Sequence, residues 1–215
     1  MREKEKDVLS FLHAEYPNAK CSLDFHDDFE CLISIVLSAQ STDSSVNLAT
    51  PSLFEAYPTP HLLTQADLFE IEAKIKKIGL YRSKAKHIKA LAAVLDEEFN
   101  GKIPYERDLL TRLPGVGEKT AGVFLLERAM IPSIPVDTHI SRIAKRLGYA
   151  RKNEKPLQIE RILEKRFPEN EWIFLHHSFI AFGREKCHAQ KPLCEDCPLK
   201  KYCVSQKKTL STTGK

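Results

Sequence analysis

Nowhere does this sequence run long in apolar residues. No stretch approaches the roughly 20 that a membrane-spanning helix needs. The start, Met1-Arg2-Glu3-Lys4-Glu5-Lys6-Asp7, carries charges of both signs where a secretory signal would hold an apolar core. These absences predict a cytoplasmic protein with no membrane partner. Convincing alternating strands, internal repeats and low-complexity linkers are missing as well, which argues against sheet and solenoid architectures. A strong charge excess is also lacking: 33 basic residues face 29 acidic ones, for a net charge of +4. That balance permits a nucleic-acid partner without demanding one. In a cytoplasmic chain the six cysteines are not read as disulfides. Cys21 and Cys31 stand alone and read as inert core residues, whereas the other four crowd toward the C-terminus.

What is present is helical periodicity. The 215 residues are 42% hydrophobic, enough for a sizeable core. Phe29, Leu32, Ile33, Val36 and Leu37 follow the stripe of a buried helix face. Asp67 with Glu70 three residues on reads as a capping-box start. Ile71, Ile75 and Ile78 then line one face, with Gly79 as the stop. Ser83 is expected to cap the next helix, which buries Ile88, Leu91, Ala92, Leu95 and Phe99 and ends before Gly101. Asp137 or Thr138 opens another, with Ile140, Ile143, Ala144 and Leu147 inside and Gly148 at its end. Thr50-Pro51 and Thr59-Pro60 each suit an N-cap followed by an N1 proline. The polar tail from Ser205 is expected to fray.

Two stretches carry chemistry. Leu113-Pro114-Gly115-Val116-Gly117-Glu118-Lys119-Thr120-Ala121-Gly122 reads as a tight turn between helices. Its glycines permit positive φ and close backbone approach. The N–H groups opening the second helix would form an anion site, suited to a phosphate. The second stretch is Cys187-x6-Cys194-x2-Cys197-x5-Cys203, four thiolates within 17 residues, able to enclose a metal. By donor chemistry alone, zinc and an iron–sulfur cluster both suit it.

The glycine turn resembles the helix-hairpin-helix of the DNA glycosylase superfamily. Ile134-Pro135-Val136-Asp137-Thr138-His139 resembles that family's loop ending in a catalytic aspartate, and Asp137 follows Lys119 by 18 residues. Leu37-Ser38-Ala39-Gln40-Ser41-Thr42-Asp43 and Ile78-Gly79-Leu80-Tyr81-Arg82-Ser83-Lys84-Ala85 are similar to endonuclease III segments in the same order. The cysteine spacing matches the endonuclease III cluster loop, so the resemblance spans nearly the whole chain.

The resemblance implies an all-α, two-domain helix-hairpin-helix glycosylase fold with a C-terminal iron–sulfur loop. Residues 22–132 would form a helical barrel domain, and residues 1–21 plus 133–215 the cluster domain. It implies base-excision repair by a bifunctional N-glycosylase and β-eliminating lyase, acting as a monomer at the bacterial nucleoid. The partner would be double-stranded DNA bearing an oxidised pyrimidine or an abasic site. Lys119 would be the nucleophile and Asp137 its charge-stabilising partner. A nucleophilic amine must be uncharged, and a helix start, with its positive dipole end, disfavours an ammonium. Cys187, Cys194, Cys197 and Cys203 would hold a [4Fe–4S] cluster. Gly115 and Gly117 would meet phosphate, Gln40 would fill the gap left by an extruded base, and Ile78 or Leu80 would wedge the opposite strand. His139 would line the lesion pocket. Lys191, with Lys186, Lys200 and Lys201, would meet the DNA backbone.

Glu118 and Gly122 depart from the common endonuclease III pattern, in which a basic and a polar residue are frequent at these positions. Two other readings stand beside this one: a base-only glycosylase of the same superfamily, and a non-catalytic DNA-binding or redox-sensing module on the same scaffold. Lys119 argues against the first, since base-only relatives typically lack this lysine.

Overall fold

In the computed structural model, residues 1–205 are described, and the polar tail beyond Ser205 lies outside them. The described residues are helical, with no strand among them. In chain order they form α1 (Glu3–Glu15), α2 (Asp28–Ser38), α3 (Asp43–Ala56), α4 (Pro60–Gln65), α5 (Leu68–Ile75), α6 (Tyr81–Phe99), α7 (Arg107–Leu110), α8 (Glu118–Arg128), α9 (Thr138–Arg146), α10 (Pro156–Glu164) and α11 (Trp172–Glu185). No helix among them is long and apolar enough to cross a membrane.

The chain gathers into two compact units. One comprises Ser22–Ile131; the other comprises Met1–Cys21 and the described residues from Pro132. In the first, α2 is buried on every side. Phe29 and Cys31 through Leu37 are all inside, so the helix is wrapped by its neighbours rather than laid on them. It packs against α3, α6 and α8, while α6 runs along α4 and α5. In the second unit, α11 packs on α9 and α1, and α10 packs on α9. Its core includes Leu12, Ile140, Ile143, Leu163, Leu175 and Phe179.

Several local signals act as the sequence suggests. The Asp67 carboxylate caps α5 by accepting the Phe69 N–H at 2.7 Å. Thr59 caps α4 ahead of Pro60. Asn100, left-handed at φ 51°, closes α6 before Gly101. Others differ for physical reasons. Glu70 does not complete a capping box; its carboxylate accepts the Tyr57 hydroxyl at 2.6 Å. Helix α5 stops at Ile75, and a tight turn, with the Ile78 N–H on the Ile75 carbonyl at 2.9 Å, tucks Ile78 into the core before Gly79 is reached. Ser83 is not a cap, because Leu80 turns left-handed at φ 58° and α6 begins at Tyr81.

Thr50-Pro51 opens no helix. Thr42 caps α3, which runs straight through Pro51. A mid-helix proline costs about 3 kcal/mol. Burial of Val46, Ala49, Leu53 and Phe54 at helical spacing outweighs that cost. Cys31 is a core residue, but Cys21 is only half-buried.

Candidate active site and metal centre

The hairpin is built from its apolar anchors outward. Leu110, Leu113 and Val116 are buried and hold the turn to the core of the Ser22–Ile131 unit. The Leu113 N–H bonds the Leu110 carbonyl, and the Val116 N–H bonds that of Leu113, each at 3.0 Å. Only one of the two glycines has a left-handed backbone. Gly115 sits at φ 80°, and a Cβ there would lie 3.0 Å from the His87 Cβ. Gly117 is extended at φ −98° and is the N-cap of α8. A Cβ on it would meet nothing within 4 Å. The fold therefore requires glycine at 115, while at 117 glycine leaves open space above the helix start.

No side chain caps α8. The N–H groups of its first turn have no intrahelical acceptors and are a ready anion site. Lys119 is the second residue of this helix and is exposed. Its neighbour Glu118 reaches back to Arg107 at 3.4 Å, which partly offsets the acid's charge beside the anion site.

Asp137 belongs to the other unit. Buried Ile134 and Val136 anchor its loop. Its carboxylate accepts the Ile140 N–H at 2.8 Å and so caps α9. The side chain is half-buried, leaving part of the carboxylate accessible. His139 is held from two sides: its Nδ1 lies 3.0 Å from an Arg142 guanidinium nitrogen, and its ring packs against Gly183 of α11. A Cβ at position 183 would come within 2.8 Å of His139. This environment makes His139 a packing and hydrogen-bonding residue of the α9–α11 contact.

The four C-terminal cysteines line one cavity of about 150 Å³. Ile143, Leu147, Phe182 and Leu199 supply its apolar wall. Burial pushes the Cys197 thiol up, and the neighbouring cysteines add to the shift. Such a set ionises readily only against a bound cation. Four thiols lining one cavity are the donor set that an iron–sulfur cluster takes.

Two arginines that the sequence reading passed over secure this loop. Arg142 donates to the carbonyls of Cys187 and Gly183, each at 2.9 Å. Arg146 donates to the His188 carbonyl at 2.7 Å and to the Cys187 Sγ at 3.2 Å. Their i, i+4 spacing on α9 was the available signal.

The remaining candidates divide by exposure. Gln40 is exposed on a left-handed residue at φ 55°. Leu80 is 62% exposed, but Ile78 is only 2% exposed, so Ile78 is a core residue and cannot wedge a strand as it stands. Lys191 is exposed at φ 47°. Lys186 is engaged by Glu15, and Lys201 pairs with Asp7 at 2.6 Å, so a carboxylate partly offsets the charge of each.

Comparison with known proteins identifies the family and the fold. Residues 33–169 match the family described as HhH-GPD superfamily base excision DNA repair protein, and residues 187–203 match the iron-sulfur binding domain of endonuclease III. Endonuclease III of Bacillus subtilis is 43% identical over 188 residues, covering 87% of this chain and 86% of that protein. Endonuclease III of Escherichia coli K12 is 39% identical over 207 residues, covering 96% and 98%. A trapped endonuclease III–DNA covalent intermediate superposes with a TM-score of 0.92 at 44% identity, covering 98% of this chain and all of that one. A thermostable thymine-DNA glycosylase, at 23% identity and a TM-score of 0.85, shares the fold.

Proposed function

Because the chain belongs to the helix-hairpin-helix base-excision DNA repair family, and within it to endonuclease III, we propose that Lys119 and Asp137 carry the two reactions of that enzyme. The chain is a bifunctional DNA glycosylase and abasic-site lyase, with a [4Fe–4S] cluster in its C-terminal loop. The observation that carries the assignment of roles is the placement of Lys119: exposed, in the first turn of a helix whose N-cap is an uncluttered glycine.

The Lys119 amine attacks C1′ of the damaged nucleotide, and the glycosidic bond breaks with its electron pair leaving on the base. The Asp137 carboxylate stabilises the positive charge that develops on the sugar and takes a proton from the lysine. Ring opening gives a Schiff base between Lys119 Nζ and C1′. Loss of the 2′ proton then expels the 3′ phosphate by β-elimination, and hydrolysis returns the free lysine. The first-turn N–H groups of α8, with Gly115 and Gly117, hold a DNA phosphate, while Gln40 fills the space vacated by the extruded base and Leu80 wedges the opposite strand. The four cysteines bind the cluster, which supplies structural cross-linking of the loop carrying Lys191. The substrate is duplex DNA with an oxidised pyrimidine such as thymine glycol, or an abasic site. The protein acts as a monomer in the cytoplasm, at the nucleoid.

Borohydride reduction during turnover of a thymine-glycol duplex tests the roles. A covalent protein–DNA adduct that disappears in Lys119→Ala, while duplex binding persists, supports them. Base release without an adduct would make the enzyme base-only. Absence of release from a folded, DNA-binding protein would leave a non-catalytic module. Iron rather than zinc should copurify, giving a brown protein.

A further inference from the structure

Lys84 is a lysine on a buried stripe. It shares one face of α6 with Ile88, Leu91 and Leu95 and is only 5% exposed. Burial pulls its ammonium below the ordinary lysine value. A buried charge is tolerated when its donors are satisfied, and here they are directed at one place. Nζ donates to the Leu37 carbonyl at 2.8 Å and to the Ser41 hydroxyl oxygen at 2.7 Å. The Gly79 N–H also donates to Ser41 Oγ, at 3.2 Å.

Ser41 Oγ thus receives two donors from the far side of a loop pair. One loop carries Gln40 and the other carries Leu80, both exposed and both left-handed. The Leu80 carbonyl accepts the Lys84 N–H at 3.1 Å, so the same lysine anchors the start of α6 by its backbone and the end of α2 by its side chain. The fit is close, since a Cβ on Gly79 would lie 3.1 Å from the Gln40 carbonyl oxygen and 3.3 Å from Ser41 Oγ. A left-handed conformation is unfavourable for a non-glycine residue, and two in adjoining loops persist only where the surroundings over-determine them.

We propose that Ser41 and Lys84 are positioning residues that lock the Gln40 loop to the Leu80 loop, so that both side chains enter a duplex as one rigid unit when a base is extruded. Neither residue touches DNA in this account. This rests on the reading of Gln40 as the gap-filling residue and Leu80 as the wedge of the opposite strand. The node sets their spacing before DNA binds, and so removes the ordering cost from the extrusion step.

The test compares single-turnover base release at saturating enzyme on two duplexes. One carries thymine glycol opposite adenine; the other carries it opposite an abasic analogue, where no orphaned base remains. Ser41→Ala and Lys84→Met are expected to slow release from the first about ten-fold, the loss of a charge-assisted hydrogen bond. Release from the second should stay within about two-fold, and Lys84→Arg should recover part of the rate. In a Gln40→Ala/Leu80→Ala background, Ser41→Ala should have no further effect. Equal slowing on both duplexes would assign the node a merely structural role and overturn the proposal, as would no slowing on either. If Gln40→Ala and Leu80→Ala leave the paired duplex unaffected, the gap-filling and wedging reading itself fails and the node falls with it. If those variants are slow and Ser41→Ala is not, the node alone fails. Ser41→Ala carries the test should Lys84→Met not fold.

Discussion

The Asp137 carboxylate and the Ile140 N–H meet at 2.8 Å, closing the first turn of α9. The proposed mechanism gives this side chain a second task beside capping, stabilising charge on a sugar, and the two are separable by chemistry. Asparagine retains an acceptor for Ile140 and lacks the negative charge. Asp137→Asn should therefore keep the wild-type denaturation midpoint yet lose base release by about 100-fold or more. Asp137→Ala should lose the same activity and also about 1 kcal/mol of stability. Urea titration beside single-turnover kinetics distinguishes the two. An asparagine variant as destabilised as the alanine variant would refute the division.

The two hairpin glycines should respond differently to the same substitution. Gly115→Ala places a Cβ 3.0 Å from the His87 Cβ on a backbone at φ 80°, so it should destabilise by about 1–3 kcal/mol. Gly117→Ala meets no atom within 4 Å, so melting should hardly change. If its open space is where phosphate approaches, affinity for an abasic-site duplex should nevertheless fall. Thermal melts and fluorescence anisotropy check both halves, and unaltered affinity in Gly117→Ala would remove that glycine from the interface.

Glu118 places a carboxylate in the first turn of α8, partly offset by Arg107. Glu118→Gln removes a charge that repels DNA. It should tighten binding at low salt and steepen the salt dependence of affinity by about one unit in log–log slope. Affinity measured between about 50 and 200 mM salt, over which the Debye length shortens from about 14 to about 7 Å, reads this directly. A flat response would mean that the α8 start is not near a phosphate.

Burial lowers His177 from 6.5 to about 4. Its depressed value means that the unfolded chain binds the proton more tightly. The neutral, buried ring contributes full stability above pH 6.5 and loses it as the pH falls toward 4, an effect of about 3 kcal/mol at most. Unfolding free energy should therefore decline across that window, and His177→Gln should flatten the decline. An unaltered pH profile in that variant would assign acid sensitivity to other groups.

Much of this molecule was legible without coordinates. Helical stripes, the caps at Asp67, Thr59 and Asp137, the left-handed Gly115 and the cysteine spacing all depend on neighbours within a turn or two, where local sterics and hydrogen bonding decide. The sequence by itself also determined which side chains are chemically able to act, since an amine, a carboxylate and four thiols are properties of residues rather than of folds.

What tertiary structure alone decided is which of those groups are presented, and what holds them. Ile78 and Leu80 are both apolar and stand two residues apart, yet a turn buries one and exposes the other. Pro51 sits inside a helix because packing of α3 outweighs its local preference. Lys84 finds Ser41 from 43 residues away, and Arg146 finds the cluster loop from 41. Burial and long-range pairing are sums over contacts between distant segments, and no window of sequence contains those sums.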